Sequence, residues 1–385
     1  MTDSDEIRPF RIDVPQAALD ELAGKLDATR WPAPLPGDDW DTGVPTAWLR
    51  SLAEYWRSGY DWREAERVLN KIPQFTTVID GQQIHFLHVR SAEPGATPLV
   101  LTHGWPGSIV EFLDLIGPLT DPAAHGGDPS DAFHVVIPAL PGFGFSGPVA
   151  DAGWTTNRIA RTWAELMRRL GYERFAAQGG DIGAGVSVEL GRVAPDRVIG
   201  VHVNGDSGSL PPLPMPDEER ASLTDLERDR VARVEAFMEE EFGYIAIQST
   251  RPQTIGYGLD DSPIALLAWI MDKFREWTHP RHVLPDEIVD RDRLLTNVML
   301  YWLTGTASSA AYVGYAQDES WEPKANSGVP TGVIVFAHDI GIRRYAEQAA
   351  TIVSWTDVDR GGHFAALEEP DLLVADVREF FATLR

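Results

Sequence analysis

The chain has 385 residues, 43% hydrophobic and 24% charged, with 13 Trp and no low-complexity tract, the composition of a globular protein of one large or two smaller domains. Its 58 acidic against 33 basic residues give a formal charge of −25, which repels phosphate backbones and anionic lipid heads and argues against nucleic acid or a membrane as partner. The absence of cysteine removes a disulfide framework, a thiolate zinc site and a Cys nucleophile. The acidic start, Met1 to Glu6, lacks the basic-then-apolar order of a signal peptide, and no run approaches about 18 apolar residues, so the cytoplasm is the expected location.

In chain order, residues 9–90 read as a leading region. A helix begins at Val14-Pro15, with Pro15 suited to its first turn, and further helical patterns cover about 46–58 and 61–70. Trp31, Trp40, Trp48, Tyr55, Trp56, Tyr60 and Trp62 are too many aromatic residues to leave in water, so this region is expected to pack on something larger. Phe75–Ile79 and Ile84–Val89 flank Asp80-Gly81, a favoured hairpin turn, with His85 and His88 as strand residues rather than ligands. From Pro98 strands alternate with helices: Leu99–Thr102, a helix from Ile109, Phe133–Pro138, a helix near 156–170, the strand at Phe175, and Val198–Val203. This alternation implies a parallel sheet with helices on both faces. Residues 206–325 then show helical patterns at about 222–242, 263–274 and 291–315 with no strand. Gly332–Phe336 and Thr351–Trp355 resume the strand pattern, and a helix from Leu372 to Leu384 closes the chain. A core interrupted by a helical insertion is how a lid over an active site would be encoded.

The chain is organised around Gln178-Gly179-Gly180-Asp181-Ile182-Gly183-Ala184, which lies between a strand and a helix. Gly-x-Asp-x-Gly over 179–183 has the spacing of a nucleophile elbow, with a carboxylate where an esterase carries Ser. An ordinary glycine turn with a capping Asp would look the same, so the rest of the chain must decide. Such an elbow needs an acid and then a His further along. Asp339 follows the 332–336 strand, and His363 stands beside paired glycines after the last strand, in the required order. Upstream, His103-Gly104-Trp105-Pro106-Gly107-Ser108 occupies the position of the loop that donates one N–H to an oxyanion hole, the other coming from the residue after the nucleophile. Those donors are Trp105 and Ile182. Gly142-Phe143-Gly144-Phe145-Ser146-Gly147 fits a dinucleotide spacing, but no helix opens after it, so a nicotinamide cofactor is discarded.

With these residues in view, the chain resembles an α/β-hydrolase-fold epoxide hydrolase of the microsomal type, without a membrane anchor. The resemblance runs from the leading region to Pro370. It includes His-Gly-Trp-Pro-Gly-Ser (103–108), Gly-Gly-Asp (179–181), Gly243-Tyr244 with Ile247–Pro252, Leu295–Trp302 and Gly-Gly-His-Phe-Ala-Ala (361–366). It implies a mostly parallel sheet with a helical lid and an N-terminal extension, divided as 1–90, 91–205, 206–325 and 326–385. It implies Asp181 as nucleophile, His363 as base, Asp339 as the orienting acid and Tyr244 as one of two lid tyrosines that hold the epoxide oxygen. For the second tyrosine, ungapped counting lands on Gly314; Tyr315 is taken, with Tyr312 as the alternative. The family often has Trp after the nucleophile, where this chain has Ile182. A small-molecule epoxide is the implied partner, no cofactor or metal is called for, and a homodimer is left open.

A carboxylate at the elbow suits this chemistry. A Ser oxygen attacking an epoxide would leave an ether, whereas a carboxylate leaves an ester that water can cleave, with the oxyanion hole acting in that second step. A haloalkane dehalogenase would share Asp, His and acid, but Ile182 replaces a halide-holding Trp, and the paired tyrosines and the leading region speak against it. A non-catalytic binding protein on the same fold is the remaining alternative, disfavoured because every motif residue is kept.

Overall fold

The structure is a computed structural model that describes residues 4–37, 39–205, 211–316 and 325–385. Its strands are β1 (Ser4–Phe10), β2 (Gln74–Ile79), β3 (Gln82–Val89), β4 (Thr97–Thr102), β5 (Phe133–Pro138), β6 (Phe175–Gly180), β7 (Val198–Asn204), β8 (Pro330–Val335) and β9 (Thr351–Asp357). They form one sheet in the order β1-β2-β3-β5-β4-β6-β7-β8-β9. The pairings from β5 through β9 are all parallel, while β1, β2 and β3 add an antiparallel edge. The parallel strands from β5 to β8 are largely buried because helices cover both faces, whereas β9, at the edge of the sheet, is only half-buried. The hairpin turn has Asp80 at φ 49 and Gly81 at φ 74, as its tight two-residue geometry requires.

The first strand escaped the sequence reading. Its opening Ser4-Asp5-Glu6 is polar because β1 is an edge strand, and only Ile7 and Phe10 turn apolar side chains toward the core. Pro15 stands at the N-cap of the helix Gln16–Asp27, one position before the first turn. The pattern read as one helix over 222–242 is two pieces, Asp225–Ala236 and a wide π-helical turn Phe237–Glu241, with a separate short helix Asp217–Ala221 ahead of them. A capping box on Thr224 and Glu227 starts Asp225–Ala236 afresh after that short helix. The pattern over 291–315 splits at Gly305, whose left-handed φ of 60 ends the helix Arg291–Thr304 before Ala307–Tyr315 begins.

The leading helices lie against the helices that follow β7. Tyr55 donates to Asp292 at 2.7 Å, Tyr60 bonds Thr296 at 2.9 Å, and the buried Trp56 points its Nε1 at the Met299 sulfur, 3.2 Å away. All three contacts fall on Arg291–Thr304, so the leading region braces one helix of the insertion. The carboxyl ends of β4, β6, β7 and β8 meet beneath that insertion, where ligands of open α/β sheets collect. Trp56→Ala should remove about 3–5 kcal/mol of stability, the usual cost of an emptied Trp site, measured as a lowered midpoint in urea denaturation.

Candidate active site

Strand β6 ends at Gly180, the helix Ile182–Val193 begins two residues later, and Asp181 alone makes the turn. Its φ of 54 and ψ of −127 are strained for a residue with a side chain. The neighbours explain why glycine surrounds it. A Cβ on Gly179 would run into the Gly183 backbone, one on Gly183 into the Thr102 carbonyl, and one on Gly104 into the Asp181 carboxyl itself. The strand, the turn and the loop after β4 therefore close on one another at backbone distance, and the Asp181 side chain is left projecting into the cleft.

The Trp105 N–H donates to Asp181 Oδ1 at 2.9 Å, and His363 Nε2 lies 3.6 Å from Oδ2. The two carboxyl oxygens thus face different groups. Burial holds the His363 imidazole below its ordinary value, while the Asp181 charge pulls it partly back. The helical insertion holds the His363 loop: the His363 N–H donates to Trp277 O at 2.9 Å, and Phe364 stacks on Phe274 with centroids 3.9 Å apart. Asp339 is buried in the loop after β8, where Oδ2 accepts the Phe336 N–H at 3.0 Å. That loop runs beside the His363 loop, since the His338 N–H donates to Gly361 O at 3.3 Å. From the insertion, Arg230 donates to Gly341 O and Arg233 to Ala337 O, clamping the loop that carries Asp339. Ile182, the second proposed N–H donor, opens the elbow helix.

Tyr244 sits on the first turn of the helix Gly243–Thr250, directly after the wide turn Phe237–Glu241. Its ring stacks on Trp105, with centroids 4.9 Å apart and planes within 12°, which carries the phenol over the cleft. Burial pushes that phenol well above its usual value, and the charges of Asp181 and Glu241 add to the effect. Tyr244 is a fully protonated donor at neutral pH. Tyr315 closes the helix Ala307–Tyr315, but its side chain lies outside the described residues. Tyr312 lines a separate groove of about 500 Å³ together with Thr250, Arg251 and Ser308.

Sequence reasoning missed Glu111. Its carboxyl packs against the Cα of Gly107 and shares with Asp181, Asn204 and His363 the lining of a cavity of about 10 Å³, room for a single water. Burial, with the Asp181 charge second, pushes Glu111 up to about 8, so it is neutral at pH 7 and does not repel the Asp181 carboxylate. The motif Leu295–Trp302 also gains a physical meaning. Asn297 donates to Pro106 O at 2.8 Å and Tyr301 to Gly107 O at 2.6 Å, so one helix face holds the loop whose N–H reaches Asp181. His103 fixes the other side of that loop: Leu140 N–H donates to its Nε2 at 3.1 Å, and its Nδ1 bonds Gly104 O at 3.0 Å. Gly142–Gly147, the discarded dinucleotide pattern, is a turn against the insertion, with Gly142 O accepting from Ser309 and Gly144 N–H donating to Thr306. Among the described residues no group of three or more His, Asp or Glu could hold a metal ion, and no helix is long and apolar enough to cross a membrane.

The sheet order and the carboxylate at a strained strand-to-helix turn define an α/β-hydrolase with an acidic elbow. Residues 97–246 match the model of the alpha/beta hydrolase fold, and residues 7–112 match that of the epoxide hydrolase N terminus. The chain is 47% identical to a Stigmatella aurantiaca protein carrying the provisional name epoxide hydrolase, over 98% of this chain and 86% of that one. It is 34% identical to Epoxide hydrolase 1 of Sus scrofa, over 99% of this chain and 90% of the relative. The solved structure of Aspergillus niger epoxide hydrolase superposes with a TM-score of 0.88 at 34% identity, covering 100% of this chain and 98% of the other. This chain belongs to the epoxide hydrolase family.

The pairing of His363 with Asp181 can be read by NMR. In the free protein the His363 imidazole should titrate below its ordinary value of about 6.5, and Asp181→Asn should lower the midpoint further by removing the charge that favours the imidazolium. A midpoint that rose in Asp181→Asn would contradict the arrangement.

Proposed function

We propose that this protein adds water to a small-molecule epoxide, giving a vicinal diol through an ester on Asp181. The observation that carries this reading is the split environment of the Asp181 carboxyl, with Oδ1 on the Trp105 N–H and Oδ2 toward His363 and the cleft. Oδ2 attacks a ring carbon as the carbon–oxygen bond of the ring breaks, and Tyr244, with Tyr315 or Tyr312, gives the departing ring oxygen a proton. His363, neutral, takes a proton from a water held in the small cavity, and the resulting hydroxide attacks the Asp181 carbonyl carbon. The N–H groups of Trp105 and Ile182 then face the oxyanion on Oδ1. Collapse breaks the acyl–oxygen bond and releases the diol, whose alkoxide takes its proton from the imidazolium; Asp181, left as the acid, then gives up its proton to solvent while the tyrosinate takes one back, which restores both groups. Asp339 steadies the imidazolium and its orientation, the role an acid plays in such a triad. Glu111, neutral beside the same cavity, can bond that water without opposing the carboxylate. In domain terms the reading treats 1–90 as an extension, 206–325 as the lid, and 91–205 with 326–385 as the core.

Two experiments test it. With enzyme in excess over styrene oxide in ¹⁸O-water, the first-turnover diol should be unlabelled and the peptide containing Asp181 labelled, and His363→Gln should accumulate the ester as a mass increase on the protein. Diol carrying full solvent label in that turnover would rule out the covalent route.

The tyrosines are separated by substitution. Tyr244→Phe should slow ester formation by about 10²-fold, the scale of a lost general acid. Tyr315→Phe should do the same, and full activity in Tyr315→Phe alongside a crippled Tyr312→Phe would transfer the role to Tyr312.

A further inference from the structure

A buried cation lies on the tyrosine that the proposed reaction uses, and the steps above leave it without a task. Lys273 stands on the helix Pro263–Trp277, and only 7% of its side chain is exposed. Its ammonium is 5.0 Å from the centroid of the Tyr244 ring and 5.6 Å from that of Trp277, with Asp272 Oδ2 at 2.8 Å. Taking an ammonium out of water is costly, and an ion pair with a neighbour in sequence could form as well at the surface. The placement over two aromatic rings therefore needs its own reason.

That reason lies in the charges around Tyr244. Asp181 faces the phenol from the elbow, and Glu241 faces it from the wide turn before its own helix, held there by the Trp277 Nε1–H at 2.8 Å. Both anions oppose the charge that Tyr244 acquires when its proton moves to the ring oxygen. Trp105 and Trp277, the indoles packed about the ring, carry no charge to offset them. Lys273 and Arg281 both offset the Glu241 charge, Arg281 also reaching Glu276, and Lys273 is the one of the two that lies over the Tyr244 face. A cation on the π face draws ring electron density toward itself and away from the phenolic oxygen, which favours the phenolate.

We propose that Lys273 is a positioning residue for the lid tyrosine: its buried ammonium, on the face of the Tyr244 ring, stabilises the negative charge Tyr244 takes up as it protonates the opening epoxide. The role rests on the proposed function of Tyr244 and belongs to ester formation alone. Lys273 touches neither the Asp181 carboxyl nor the His363 ring in any recorded contact, so cleavage of the ester does not draw on it.

A double-mutant cycle separates this role from packing. Single-turnover ester formation from styrene oxide would be followed by quenched-flow mass measurement in the parent protein, Lys273→Met, Tyr244→Phe and the double variant. Lys273→Met should slow ester formation by about tenfold, the scale of a desolvated cation–π contact, while decay of the preformed ester stays unchanged. Lys273→Arg, which keeps the charge, should recover most of the rate. In the Tyr244→Phe background the same Lys273→Met change should alter the rate by less than about twofold, since no phenol remains to be stabilised. Equal slowing in both backgrounds, or no slowing in the parent, would overturn the proposal. Should the Met variant fold poorly, Lys273→Gln carries the same comparison, with thermal melts as the check. A Tyr244→Phe variant that forms ester as fast as the parent would instead refute the assignment of Tyr244, a distinguishable result.

Discussion

Everything in this molecule depends on how closely the loop after β4 approaches the turn after β6. Gly183 meets the Thr102 carbonyl and Gly104 meets the Asp181 carboxyl at distances that leave no space for one more carbon. That contact forces Asp181 into a backbone conformation that costs on the order of 1–3 kcal/mol, and the cost persists only because the surrounding sheet over-determines it. In return the carboxyl is delivered to the Trp105 N–H at 2.9 Å with no flexible linker between the two. The close approach requires adjacent parallel strands, so the order β4-β6-β7-β8 and the chemistry share one cause.

The insertion after β7 does more than cover the cleft. Its helix Arg291–Thr304 is gripped from outside by Tyr55, Trp56 and Tyr60, and from its inner face it bonds the loop of Trp105 through Asn297 and Tyr301. Its helix Pro263–Trp277 receives the His363 N–H at its last residue, and its helix Asp225–Ala236 clamps the Asp339 loop through Arg230 and Arg233. Each loop that holds a candidate catalytic group is thus tied to a different helix of the insertion. A disturbance of the leading region would be transmitted to the Trp105 loop through one helix.

The electrostatics of the cleft run against the charge of the whole chain. Outside, a formal charge of −25 is spread over solvated carboxylates. Inside, Asp181 shares its cavity with Glu111, and burial keeps that second carboxyl neutral at pH 7. Burial likewise keeps His363 low and the Tyr244 phenol high, which favours a neutral imidazole and a protonated phenol. The same desolvation raises Glu111 and Tyr244 and lowers His363 because it penalises whichever form is charged, the anion of the two acids and the cation of the imidazole.

The sequence by itself determined the strand–helix alternation, the hairpin at Asp80-Gly81, the helical insertion and the residues at the elbow, because each rests on local spacing. Glycines at 179 and 183 and a His beside paired glycines are legible one turn at a time. The π-helical turn before Tyr244 and the break at Gly305 were not legible, since apolar periodicity continues across both and only backbone geometry shows the interruption. The edge strand β1 was hidden because an edge strand has one solvated side and needs no apolar run. Glu111 and Lys273 look like ordinary solvated charges on helical segments. Only the tertiary structure, by folding distant segments over them, decided that one is a neutral carboxyl beside Asp181 and the other a cation against Tyr244, since burial depends on contacts between residues far apart in the chain.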